Sequence, residues 1–154
     1  MQNEPLEIER KFLIAYPDMA LLEAQSGCNK TEIAQTYLTP ASDGAQRRVR
    51  KRGADGVYTY TCTEKIFITP VRRIEREREI SEAEYEALLK ECSPEYDTLY
   101  KTRYAIPYAG LVCEIDVYPF ISDWAVLEIE LEEEGTILPM PPFVQVLKEV
   151  TGVK

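Results

Sequence analysis

The sequence predicts an α+β fold carried by about eight mostly antiparallel strands with a few short helices, and three observations point there. Charged and apolar residues alternate with period two in segment after segment, the pattern of strands that have one polar and one apolar face. The turns Ser42-Asp43-Gly44, Gly53-Ala54-Asp55-Gly56 and Ala109-Gly110 are short and place Asp or Gly where positive φ is wanted, so they read as hairpin connections. At 154 residues the chain is the size of one domain, spanning 1–154, able to bury roughly two thirds of its unfolded surface in a single core.

The first strand, 6–14, contains Glu7-Ile8-Glu9-Arg10-Lys11, which sends Glu7, Glu9 and Lys11 to one face. Asp18 caps a brief helix through Met19, Leu21 and Leu22 that ends near Gly27. Strands at 34–39, 46–52, 57–65 and 71–80 follow, judged by alternation and by their Tyr, Val, Ile and Thr content. Ser81-Glu82-Ala83-Glu84 has the form of a capping box and opens a helix over 82–92 that stops before Pro94. Strands at 99–108, 111–118 and 125–132 complete the set. Pro139, Pro141 and Pro142 then break the chain, and the stripe of Phe143, Val144, Leu147 and Val150 predicts a final helix.

Composition narrows the chemistry. The four cysteines, Cys28, Cys62, Cys92 and Cys113, show no C-x-x-C spacing and read as buried free thiols of a reducing compartment. With no basic-then-apolar leader pattern and no apolar run near the roughly 18 residues of a membrane helix, the expectation is a cytoplasmic protein without a membrane partner. A net charge of -9 disfavours a broad nucleic-acid surface, which needs an excess of Lys and Arg against phosphates. The chain contains no histidine, so histidine acid–base catalysis is excluded, and any metal site must be built from oxygen ligands that suit Mg²⁺, Mn²⁺ or Ca²⁺.

Sorting each strand by parity assembles one face of Glu7, Glu9 and Lys11; Arg48, Arg50 and Arg52; Thr61, Thr63 and Lys65; Arg73, Glu75, Glu77 and Glu79; Lys101 and Arg103; Glu114 and Asp116; Glu128 and Glu130. The opposite face carries Ile8 and Phe12, Val49, Tyr60 and Cys62, Ile80, Tyr104 and Ile106, Ile115, Leu127 and Ile129, among others. A flat sheet with helices on its apolar side and water on its charged side satisfies this pattern as well as a barrel does. Two points weigh toward closure: the polar face is almost purely ionic, and closing eight strands removes both exposed edges. Inside a closed sheet, acids would gather around divalent cations and bases around an anion, since an unpaired buried ion costs several kcal/mol. Polyphosphate suits such a passage, its row of oxygens accepting Arg forks and Lys ammoniums. Side chains would hold it, because Gly53-Ala54-Asp55-Gly56 lacks the G-x-x-x-x-G-K-[ST] form of a P-loop.

The pieces Glu7-x-Glu9-x-Lys11, Arg48-x-Arg50, Thr63-x-Lys65, Arg73-x-Glu75-x-Glu77, Lys101-x-Arg103, Glu114-x-Asp116 and Glu128-x-Glu130 resemble, in order, those of the CYTH superfamily of triphosphate tunnel metalloenzymes. The resemblance spans residues 7–130 and implies an eight-stranded antiparallel β-barrel, the tunnel fold, with helices packed on the outside. It implies metal-dependent hydrolysis of a triphosphate, inorganic tripolyphosphate first, releasing orthophosphate, so that the partner is a small-molecule polyphosphate or nucleotide.

By the same resemblance Glu7, Glu9, Glu128 and Glu130 are ligands of Mg²⁺ or Mn²⁺, with Asp116 on a second ion. Lys11, Arg48, Arg50, Lys65, Arg73, Lys101 and Arg103 form the phosphate cradle. Glu7, Glu9, Lys11, Asp116 and Glu130 are the residues it places in catalysis, while Glu75, Glu77 and Glu114 orient bases or water. Arg52 and Glu79 fall at the rim, Glu132, Glu133 and Glu134 form a solvated turn, and Trp124 and the ten tyrosines read as packing residues. The alternatives are a nucleoside or thiamine triphosphatase, a class IV adenylyl cyclase and a non-catalytic polyphosphate sensor. The cyclases usually carry a His-Phe pair before the acidic strand, and Met1 to Leu6 contains neither residue.

Overall fold

A computed structural model describes residues 6–151, with side chains from Ile8 onward. The chain forms β1 (Leu6–Ala15), α1 (Met19–Glu23), β2 (Asn29–Leu38), β3 (Gln46–Ala54), β4 (Val57–Phe67), β5 (Arg72–Ile80) and α2 (Glu82–Leu88), followed by a 3-10 turn at Leu89–Glu91. Then come β6 (Leu99–Tyr108), β7 (Leu111–Val117), β8 (Trp124–Leu131) and β9 (Val146–Glu149).

The strands bond in the order β5-β4-β3-β2-β6-β7-β8-β1, every pair antiparallel, and β1 pairs back onto β5 through Leu6↔Ile74, Glu7↔Arg73 and Ile8↔Arg72. Eight strands therefore close into a barrel, as the resemblance implied. Two-residue turns set the hairpin registers: Asp55 (φ 56°) and Gly56 (φ 80°) join β3 to β4, and Ala109 (φ 52°) and Gly110 (φ 79°) join β6 to β7. Positive φ at both central positions matches the twist of the flanking strands.

The apolar face points outward and is covered from outside. Ile14, Ile106, Ile115, Leu127 and Ile129 form the larger core with Leu22 of α1 and Phe143 of the C-terminal segment. A smaller core of Leu38, Val49, Cys62 and Ile80 lies under Tyr85 of α2. Both helices are capped where expected: Asp18 Oδ1 accepts from the Ala20 and Leu21 amides at 3.0 and 3.3 Å, and Ser81 Oγ from that of Glu84 at 3.1 Å. Among the described residues no helix is long and apolar enough to cross a membrane.

Four expectations are corrected. Strand β2 begins at Asn29 rather than 34, because Asn29 to Gln35 pair along β6, and a ladder partner overrides the weak strand propensity of Asn and Lys. Helix α2 ends at Leu88 and tightens into the 3-10 turn instead of running to 92. All four cysteines are free thiols, but only Cys62 and Cys113 are buried; Cys28 is half-buried and Cys92 exposed. The C-terminal segment is strand β9, not a helix.

The last of these has a topological cause. Strand β5 leaves β1 after Ile8, so the same edge of β1 is open from Lys11 onward, and β9 fills it through Phe12↔Glu149, Leu13↔Lys148 and Ile14↔Val146. A helix over 143–150 would have had about two turns, too few to stand alone. The strand is pinned further by Arg10, whose Nε and Nη2 donate to Glu149 at 2.9 and 2.6 Å, and by Val150 N–H to Lys11 O at 2.8 Å.

The Arg10 and Thr151 hydrogen bonds hold the Glu149 carboxyl down to about 2. A depressed carboxylate contributes stability that is complete above its unfolded pKa of 4.5 and is lost as pH falls through about 2. Arg10→Ala is expected to cost at most about 1 kcal/mol globally, as a half-exposed pair should. It is also expected to speed amide exchange at Val150 and tryptic cleavage after Lys148 at neutral pH. Unchanged exchange at Val150 would show that the backbone ladder alone holds β9.

Candidate active site in the barrel interior

Alternation along each strand sends the second row of side chains into the barrel, where they line a cavity of about 740 Å³. Eight cations line it, Lys11, Arg48, Arg50, Arg52, Lys65, Arg73, Lys101 and Arg103, against six carboxylates, Glu9, Glu75, Glu77, Glu114, Glu128 and Glu130. A protein of net charge -9 has thus lined this cavity with more cations than carboxylates among the described residues. That inversion selects for an anionic guest.

The carboxylates concentrate on β1, β7 and β8. Glu9 stands opposite Glu130, and Glu128 stands between Lys11 on β1 and Glu114 on β7. Burial, and then the negative charge of Glu128, push Glu9 up to about 9, and a hydrogen bond joins the two carboxyls. Burial works the same way on Glu128, but that hydrogen bond and the charges of Arg103 and Lys101 together outweigh it and hold Glu128 at about 2. The pair therefore keeps one proton at pH values where carboxylates are ordinarily bare. Glu130 is exposed at the cavity wall, and burial raises Glu114.

Most of the bases are already matched. Asp116, fully buried, accepts from Lys101 Nζ at 2.7 Å and from Arg103 Nε and Nη2 at 2.7 and 2.9 Å. Those contacts override the opposing effect of burial and hold its carboxyl below the usual range. Arg103 also reaches Glu114 at 3.2 Å, Arg73 reaches Glu9 at 2.9 Å, and Thr63 Oγ1 donates to Glu77 at 3.0 Å. Arg48 meets Glu75 only at 3.6 Å, and its buried Nε has no acceptor.

Arg50 and Lys65 differ from these. Among the described residues neither is ion-paired, although Arg50 is only 6% exposed. Burial followed by the charge of Arg48 disfavours both cations, and it brings Lys65 down to about 8. Beside Arg48, whose one carboxylate contact is long, they make a stretch of wall on β3 and β4 that has no ion pair of its own among the described residues. An anion seated there removes an energetic cost of several kcal/mol.

The structure thus brings together Glu9, Lys11, Arg48, Arg50, Lys65, Arg73, Glu75, Glu77, Lys101, Arg103, Glu114, Glu128 and Glu130 around one cavity. Glu7 keeps its backbone pairing with Arg73, but its side chain lies outside the described residues. Asp116 lies behind the wall with both oxygens engaged by cations, an arrangement unlike that of a metal ligand. Arg52 lines the cavity rather than only its rim, whereas Glu79 is exposed. Tyr37, Tyr96 and Tyr118 line the passage too, which packing alone did not suggest.

Charge-based sorting missed Gln35. It is 3% exposed, accepts from Arg50 Nε at 2.7 Å and donates to Tyr37 Oη at 3.2 Å. Its signal was parity: Gln35 and Tyr37 alternate on β2 as the charged pairs do elsewhere.

Among the described residues no three acidic, Cys or His side chains converge closely enough to hold a metal by themselves. The nearest donor set is the Glu9–Glu128 pair, with Glu130 and Glu114 beside it in register. Two hard oxygen ligands sharing a proton are a place that would hold a divalent cation such as Mg²⁺ or Mn²⁺ in exchange for that proton. The residues present fit such an ion.

Comparison with known proteins agrees with the architecture. The family model of the CYTH domain matches residues 5–149. The crystal structure of the inorganic triphosphatase NE1496 is similar over 100% of this chain and 90% of its own, at 28% identity and a TM-score of 0.56. PH1819 from Pyrococcus horikoshii OT3 shares the fold at 18% identity and a TM-score of 0.61, over 83% of this chain and 80% of its own. HpAC1 from Hippeastrum, which has a dominant triphosphatase activity, shares it at 14% identity and a TM-score of 0.56, over 82% and 80%. A search of curated proteins found no match.

Proposed function

This chain belongs to the CYTH domain family, and from its interior we propose that it is a metal-dependent triphosphatase that releases orthophosphate from inorganic tripolyphosphate. One observation carries the reading: Arg50 and Lys65, without ion pairs among the described residues and flanked by Arg48, share one cavity with a glutamate pair that retains a proton. A phosphate chain would be neutralised by the first, and the second would hold a divalent cation in place of its proton. The similarity to an inorganic triphosphatase supports the choice of substrate.

In this reading Arg48, Arg50, Lys65 and Arg73 bind the phosphate chain, with Lys101 and Arg103 held rigid by Asp116 for the same purpose. Lys11, across from Glu128, bridges the acidic and basic sides. Glu9, Glu128 and Glu130, together with Glu7, hold the cation. When bound, Mg²⁺ or Mn²⁺ supplies charge stabilisation at the terminal phosphoryl group and acidifies a water. Glu75, Glu77 and Glu114 keep Arg48, Thr63 and Arg103 aimed inward. Preorganised charges of this kind do not have to reorient as charge shifts to the departing oxygen.

The test is incubation with tripolyphosphate, ATP and thiamine triphosphate, each with Mg²⁺ or Mn²⁺, reading orthophosphate, pyrophosphate and cyclic nucleotide. Orthophosphate from tripolyphosphate above the other two is expected. Cyclic nucleotide with pyrophosphate would indicate the cyclase, and tight binding with no product a sensor.

Lys65 gives this reading a pH dependence. A lysine lowered to about 8 is charged below that pH and loses its charge above it, so kcat/KM for the anionic substrate is expected to fall on the alkaline side of about pH 8. Lys65→Arg is expected to move that limb upward. Lys65→Ala is expected to cost roughly 10- to 100-fold in kcat/KM, the range for one charged hydrogen bond. A change confined to thermal stability would make Lys65 structural.

A further inference from the structure

We propose that Gln35 is a positioning residue: from β2 it turns the Arg50 guanidinium so that both terminal amino groups face the substrate, without cancelling its charge. The inference rests on the proposed reading of the cavity as a triphosphate site. Arg48, Arg73, Lys101 and Arg103 each have a carboxylate within 3.6, 2.9, 2.7 and 2.7 Å respectively. Arg50 has an amide instead. Gln35 lies directly across the β2–β3 ladder from Arg50, and the 2.7 Å bond it accepts comes from Nε. Among the described residues Nη1 and Nη2 have no partner in the protein, so the fork that matches a phosphate stays available.

The orientation of the amide is itself determined. Its Nε2 donates to Tyr37 Oη at 3.2 Å, and Tyr37 rests against Tyr96 with ring centroids 5.5 Å apart. Turning the amide over would set two donors against each other at Arg50 Nε, so only one orientation satisfies both neighbours. A glutamate of nearly the same shape would hold Arg50 equally well but would neutralise it, and an incoming phosphate would then compete with that carboxylate. A neutral acceptor separates aiming from neutralising.

The experiment compares Gln35→Glu and Gln35→Leu with the unaltered protein and with Arg50→Lys, reading KM and kcat for tripolyphosphate, tripolyphosphate binding by calorimetry, and thermal unfolding. Gln35→Glu is expected to raise KM about tenfold or more with kcat changed less than about threefold, and to leave the unfolding temperature equal or higher, because a charge-assisted bond replaces a neutral one. Weaker binding in a fold at least as stable is a combination that a purely structural role does not produce. Gln35→Leu is expected to weaken binding and stability together; should it fail to fold, Gln35→Glu still decides. If Gln35→Glu keeps KM within about twofold while Arg50→Lys raises it tenfold, the role of Gln35 is overturned and the site stands. If Arg50→Lys leaves KM and binding unchanged as well, the triphosphate reading of the cavity fails, and this inference with it.

Discussion

Glu130→Gln is expected to lower metal-supported tripolyphosphate hydrolysis at least about 100-fold while the protein stays folded, a loss of the size that removing one charged metal ligand produces. The two effects separate because Glu130 carries no fold. It is exposed at the cavity wall, opposite Glu9, and among the described residues it forms no hydrogen bond or ion pair. The amide keeps the shape of the side chain and removes the charge that a hard cation requires. Thermal unfolding should therefore move by no more than a degree or two, and the concentration of Mg²⁺ or Mn²⁺ needed for half-maximal rate should rise. Full activity across a metal titration would remove Glu130 from the cation site.

Asp116→Ala is expected to act in the opposite way, through the fold. It leaves Lys101 and Arg103, each 6% exposed, as buried cations without their shared counter-ion. Breaking a buried pair by deleting one partner costs about 3–5 kcal/mol. For a chain of this length that corresponds to a fall of about 10 °C in the unfolding temperature. The pH dependence has a definite sign. Asp116 is depressed from 3.8 in the fold, so its stabilisation is complete above the ordinary carboxylate range and fades only in strong acid. The alanine variant should lack that acid-dependent component. Calorimetric or urea unfolding checks both points. Unchanged stability with lost metal dependence would instead make Asp116 a ligand, the role the family resemblance suggested.

Much of this site is local information. Charged alternation in Glu9-x-Lys11, Arg48-x-Arg50 and Glu128-x-Glu130 marks both the strands and which side chains travel together, since a strand's period of two is a property of its own backbone. The capping residues Asp18 and Ser81 and the Asp55-Gly56 and Ala109-Gly110 turns are equally local. Gln35 carries no charge to mark it, and its importance lies in Arg50, a residue on another strand. The C-terminal segment departs from its predicted helix for a similar reason: its spacing suits a short helix, but the open edge of β1 lies about 130 residues earlier in the chain.

Residue order alone thus settled which side chains share a face, that the chain is built of antiparallel hairpins, and that any metal chemistry must run on oxygen donors. Whether the charged face looked into water or into a closed passage depended on β1 pairing back to β5, a contact between segments more than 60 residues apart. Closure also decided the division of labour among the ions: Asp116 is consumed by Lys101 and Arg103, while Arg50 and Lys65 are left unmatched. Such assignments are set by distances between strands distant in the chain and by burial, and neither quantity exists until the barrel has closed.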